Sequence, residues 1–162
     1  MDDSTKLQLL LDRAAIGDRV NRYALAIDTR DWVMLRTCFT DEIEVQMDWW
    51  EPRGPRTTRA DDFVAGVKQL AGFRATQHIS SNHVIEIDGD SARCLSYLHG
   101  MHYLPNDQGA NYFLLGGYYE NDLLRTDDGW KIRRCKLNAT WQAGSRHVFN
   151  LAFKAYQDGA PN

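Results

Sequence analysis

The chain has 162 residues, 43% hydrophobic and 25% charged, with 19 basic against 22 acidic side chains and a net charge of −3. That length fits one domain, and the ordinary composition excludes the disordered and fibrous classes. The acidic balance argues against a nucleic-acid or anionic-membrane footprint, and no apolar run approaches the roughly 18 residues of a membrane-spanning helix.

Residues 5–29 are predicted to form a helix. Leu7, Leu11, Ala14, Val20, Tyr23, Ala24 and Ile27 recur near helical spacing, with polar residues such as Asp12 and Arg13 between them. Gly17 is its weak point. Asp31 is placed to cap a short second helix over 32–39, because its carboxylate can accept the first free amides. Residues 42–49 alternate as a strand, with Ile43, Val45 and Met47 on one side. Pro52, Gly54 and Pro55 then break the pattern in a basic loop that runs to Arg59. A third helix is expected over 60–73, with Phe63, Val64, Val67, Leu70 and Ala71 on one face.

After Gly72 the texture changes to long strands. Residues 76–88 and 91–104 are joined at Asp88-Gly89-Asp90, a tight-hairpin signal. Residues 105–109 turn the chain into a strand over 112–125, and Thr126-Asp127-Asp128-Gly129 turns it into another over 130–142. A short helix is expected over 147–157. Helices first and an antiparallel meander afterwards define the α+β class. The expected architecture is a curved antiparallel sheet wrapped around the long N-terminal helix, a single cone-shaped domain over 1–162 with a central pocket.

The opening Met-Asp-Asp-Ser-Thr-Lys lacks a charged-then-apolar leader, so no signal peptide is expected. Cys38, Cys94 and Cys135 are odd in number, far apart and without a CxxC pair. Neither a disulfide framework nor a zinc knuckle is expected, and a reducing cytoplasm is the simpler location.

No GxGxxG, P-loop or GxSxG motif is present, which leaves nucleotide binding and serine hydrolysis without support. His99 and His102 are three apart and His78 and His83 five apart, so a regular strand sends each pair to opposite faces. No metal site is expected. What remains is a small polar set. His78 opens the first long strand, with Ser80 and Asn82 on its side; Asp28 ends the first helix after Ile27; Tyr23 lies one turn earlier; His102 shares a face with Leu98. A histidine is the natural proton carrier near neutral pH. A carboxylate on its far nitrogen fixes the tautomer and stabilises the cation formed on protonation. An Asp–His pair in a dry pocket is thus a competent general base without metal or organic cofactor, contributing ~10²–10⁴-fold. The residue types also allow blander roles. Asp28 is equally a cap for the second helix, His78 a hydrogen-bonded core histidine and Tyr23 plain core. A bulge could exchange His99 for His102. Trp49 and Trp50 suit either a pocket mouth or an oligomer contact.

Tyr-Ala-Leu-Ala-Ile-Asp-Thr-Arg-Asp-Trp (23–32), Thr-Gln-His (76–78) and Asp-Gly-Trp-Lys-Ile (128–132), in that order and spacing, resemble the SnoaL-like branch of the nuclear transport factor 2-like superfamily. The resemblance spans roughly residues 8–142. It implies an α+β cone with a deep pocket, assembled as a dimer or trimer. Within the branch the chain is most similar to the cofactor-free lyases: scytalone dehydratase, hexachlorocyclohexane dehydrochlorinase and bile-acid dehydratase. By that resemblance the catalytic residues are Asp28, His78, His102 and Tyr23. The pocket wall is Ile27, Met47, Trp49, Asn82, Tyr119 and Asn138. Ile27 and Met47 stand where scytalone dehydratase has substrate-holding tyrosines, and Tyr119 roughly where it has an asparagine, so scytalone is not the expected substrate. The implied activity is a dehydratase-like lyase, isomerase or cyclase acting on a small, mostly apolar cyclic molecule of polyketide, steroid or aromatic type. The rival readings are a non-catalytic ligand-binding cone and a structural β-type subunit of a ring-hydroxylating dioxygenase.

Overall fold

The computed structural model describes residues 2–47 and 54–159; Trp49, an expected wall residue, lies outside them. Helix α1 (Asp3–Thr29) starts where the Asp2 carboxylate accepts the Thr5 amide, and ends at Arg30, whose left-handed backbone (φ 60°) reverses the chain. Helix α2 (Trp32–Thr37) is capped by Asp31, which accepts the Met34 amide at 2.9 Å. Strands β1 (Phe39–Met47) and β2 (Arg56–Arg59) pair antiparallel, and helix α3 (Ala60–Val67) continues into a 3₁₀ turn, Lys68–Gly72. Strands β3 (Ala75–Asp88), β4 (Ser91–Tyr103), β5 (Tyr112–Thr126) and β6 (Gly129–Gly144) follow, then helix α4 (His147–Gln157).

The six strands form one sheet in the order β2-β1-β6-β5-β4-β3. The last four make the expected antiparallel meander, but β1 lies parallel to β6. A strand that arrives from the helical layer is free to enter the sheet in either direction, whereas hairpin-linked strands are not. Within the expected basic loop, residues 56–59 form an edge strand, because Thr57 and Thr58 find β1 as a partner that local sequence does not reveal. The third helix tightens after Val67. Gly66 weakens its last α-turn, and at Gly72 the turn meets α4 so closely that a Cβ would stand 1.8 Å from the Ala152 carbonyl oxygen.

Helix α1 departs from its expected stripe. Its buried residues are Asp12, Ile16, Val20, Tyr23, Ala26 and Ile27, whereas Leu7 and Leu11 are exposed. The inward stripe runs back to a carboxylate because Arg125 of β5 and Trp130 of β6 wait for it. Arg125 donates two hydrogen bonds to Asp12 at 2.7 and 2.8 Å, the Trp130 indole N–H another at 3.0 Å and Gln8 a fourth at 3.2 Å. Arg125 also lies 4.5 Å over the Trp130 ring. This cluster closes one end of the sheet over α1. Toward the other end the helix leaves a hollow.

Candidate active site

Asp28 occupies the last turn of α1 and aims across the hollow at the start of β3. Its Oδ2 accepts the His78 backbone N–H at 2.6 Å; its Oδ1 accepts the Thr76 hydroxyl at 2.8 Å and meets His78 Nδ1 at 2.7 Å. A carboxylate only accepts, so the proton of the neutral imidazole sits on Nδ1 and Nε2 carries the free lone pair. The αL turn at Arg30 folds its guanidinium back, where Nη1 donates to Thr76 Oγ1 at 2.9 Å and to the Ile27 carbonyl at 2.7 Å. Arginine only donates, so the single Thr76 proton is directed to Asp28. Burial alone would raise the Asp28 pKa. The His78 ring, its backbone amide and Thr76 outweigh that and hold the carboxyl below its ordinary value. Asp28 does not cap α2, since Asp31 already does.

On β4, Leu98, Gly100 and His102 share the inward face, with Gly100 opposite His78 and His102 opposite Thr76. The His78 and His102 rings stand 5.1 Å apart and nearly perpendicular. His102 is 5% exposed and packed against Phe73 and Phe149 at 5.2 and 4.8 Å. Burial, and then the charge His78 carries when protonated, push its pKa down to about 3. At that pKa His102 is a neutral imidazole at physiological pH, and its Nδ1 is buried without a hydrogen-bond partner. His99 points to the outer face, against Trp141.

That depressed pKa has a consequence for stability. The unfolded chain gains a proton near pH 6.5 that the folded chain refuses until about pH 3, so acidification through this window favours unfolding. From neutrality to pH 5 the loss is about 2 kcal/mol. Replacement with phenylalanine, which suits a site walled by Phe73, Phe113 and Phe149, is expected to flatten the wild-type decline between pH 6.5 and 4 in urea titrations. An unchanged slope in His102→Phe would refute the buried neutral imidazole.

Tyr23 is 4% exposed, its ring 5.7 Å from that of Tyr119 and its hydroxyl against those of Tyr119 and the Cys135 thiol. Burial raises both phenols well above their ordinary pKa and the Cys135 thiol to about 12. Beside these groups opens a cavity of about 160 Å³. Of the expected residues, Tyr23, Ile27, Met47, His78, His102 and Tyr119 line it.

Two expected wall residues do not. Asn82 is exposed, because a bulge between Ser81 and Val84 turns it into the left-handed region (φ 55°) and hands the inward phase to His83 and Ile85. Asn138 follows inward-facing Leu137, so it lies on the outer face, where it donates to Glu120 at 3.0 Å. Leu98, expected on the His102 face, lines the cavity, and so do Gly100, Leu115, Leu137 and Phe149, which the sequence reading did not name. The same period-two alternation that joins Leu98 to His102 extends to Gly100, and Thr76 is equally legible from its spacing to His78. Nothing local marks Arg30 or Phe149. Among the described residues no three His, Cys, Asp or Glu side chains are grouped to hold a metal ion, and no helix is long and apolar enough to cross a membrane.

A curled sheet roofed by a long helix, hollow beside an Asp–His pair, forms an α+β cone. The chain belongs to the SnoaL-like domain family, whose model matches residues 8–136. Terrestric acid biosynthesis cluster protein E of Penicillium crustosum is 28% identical over 146 residues, 86% of this chain and 90% of its own length. The Kfla4162 protein of Kribbella flavida superposes with a TM-score of 0.81 at 30% identity, over 89% of this chain and 98% of that one. A candidate scytalone dehydratase from Novosphingobium aromaticivorans follows the same fold, with a TM-score of 0.73 at 22% identity over 85% and 89%.

Proposed function

We propose that the protein is a cofactor-independent lyase or isomerase that uses His78, oriented by Asp28, as its general base. The observation that carries this reading is the 2.7 Å contact between the carboxylate and Nδ1, with His78 on the wall of an open cavity. Nε2 removes a proton from carbon beside a carbonyl, and Asp28 stabilises the imidazolium that results. Neutral His102 has one ring N–H, shared with the Phe113 carbonyl; turned to the substrate carbonyl oxygen, it donates there as charge gathers. The electron pair then forms a carbon–carbon double bond and expels a β-hydroxyl, which leaves as water with the proton His78 returns. Delivery of that proton to a more distant carbon instead gives double-bond migration. Tyr23, its hydroxyl engaged by neighbours, shapes the wall.

The open cavity favours this reading over a structural subunit, whose cone could be filled. The kinship with a candidate scytalone dehydratase and with a biosynthesis-cluster protein supports small-molecule chemistry. A homo-oligomer, dimer or trimer, belongs to the same reading: exposed Ile79, Tyr97 and Trp141 lie on the outer face of β3, β4 and β6 and offer apolar surface to a second copy. Purified protein tested against a panel of cyclic β-hydroxyketones and enones, with His78→Ala as control, decides the matter. Turnover that survives the substitution undiminished would remove His78 from the mechanism.

A further inference from the structure

The cavity also limits what the enzyme accepts, an inference that rests on His78 being the base. Its volume within the described residues, about 160 Å³ and open on one side, is close to that of the enclosed apolar cavities of about 150 Å³ that hold a benzene ring. Among the described residues its wall contains no lysine or arginine; beyond the two histidines and two tyrosines these are aliphatic, aromatic or glycine. The Arg30 guanidinium stands behind Thr76 and is tied to Thr76 Oγ1 and the Ile27 carbonyl. A carboxylate or phosphate in this space would lose its water without gaining a counterion from these residues, with the Asp28 charge just behind His78.

One position marks where the reacting atoms sit. A Cβ added at Gly100 would lie 3.4 Å from His78 Cδ2, 3.7 Å from His78 Nε2 and 3.7 Å from His102 Cε1. These are ordinary contact distances, so the missing side chain leaves a methyl-sized gap that both imidazole edges border. Ring carbon seated over Gly100 is in reach of Nε2 on one side and His102 on the other.

We infer that the substrate is an uncharged, single-ring ketone or enone seated over Gly100, and that fused polycyclic and anionic molecules are excluded. The test is binding to the full chain at pH 7, measured by thermal shift and calorimetry, with cyclohexanone, 1-tetralone, a tetracyclic steroid ketone and cyclohexanecarboxylate as probes. Cyclohexanone is expected to bind and the other three not. Gly100→Ala is expected to keep the unliganded melting temperature, because its methyl fits, while weakening cyclohexanone at least tenfold. Leu70→Ala, which removes wall volume, is expected to admit 1-tetralone. Binding of the steroid or the carboxylate at the Gly100-sensitive site, or failure of cyclohexanone to bind, overturns the inference. Deuterium exchange at the α-carbon of each bound ketone separates this claim from the one it rests on. Cyclohexanone bound without His78-dependent exchange removes the base and leaves the size and charge limits standing. His78-dependent exchange of the steroid ketone does the reverse.

Discussion

His78→Ala is expected to lower turnover, or α-proton exchange of a bound ketone, by ~10²–10⁴-fold, the range a positioned general base contributes. Asp28→Asn should approach the same loss, for a reason the geometry specifies. Both carboxylate oxygens are engaged, by the Thr76 hydroxyl, the His78 amide and the His78 ring. An amide has one acceptor oxygen for these three donors and no charge to stabilise the imidazolium. Thr76→Val removes one donor and leaves the charge, so it should cost roughly tenfold or less, in kcat more than in KM. The graded order His78→Ala, Asp28→Asn, Thr76→Val is the signature of a base held by a carboxylate held by a hydroxyl. Equal losses in all three, accompanied by lost near-ultraviolet circular dichroism, would mean that the cluster merely props up the fold.

Asp12→Asn is expected to destabilise the fold by about 3 kcal/mol, the lower end of what a buried pair loses with one partner, because Arg125 is partly exposed. In a chain of this length that corresponds to a fall in melting temperature of roughly 10 °C. The two-pronged Arg125 contact holds the Asp12 carboxyl well below its ordinary pKa; burial opposes it, and Trp130 and Gln8 reinforce it. A depressed carboxylate pKa contributes stability above the unfolded value near 3.8, lost as pH falls below about 4 toward the folded value. Acid titration should therefore separate two groups: His102 acts from pH 6.5 downward, Asp12 only below pH 4. An Asp12→Asn protein within 1 kcal/mol of wild type in urea melts would show that Arg125 is satisfied by Asp90 and the Trp130 ring alone.

Both sites expose the limit of period reading in α1. The stripe counted from its leucines put Leu7 and Leu11 inward and Asp12 outward, and both assignments are reversed. A helix offers several faces of similar apolar weight over a short stretch. Which one turns inward depends on a partner more than a hundred residues away, here Arg125 and Trp130. The same holds for Arg30, whose role needs the αL turn to bring its guanidinium under Thr76.

The α+β class, the long helix and the four long strands were legible in the sequence alone, whereas alternation left His99 and His102 interchangeable and Asp28 equally a helix cap, and only the resemblance named Asp28, His78 and His102 together. Strand alternation and capping chemistry are local, and local signals survive without a fold. Tertiary structure alone decided that Asn82 and Asn138 turn away, that burial depresses the pKa of His102, and how much space the hollow leaves beside His78. A one-residue bulge reverses every later side chain on its strand, and burial and volume are sums over distant elements that no short stretch of sequence contains.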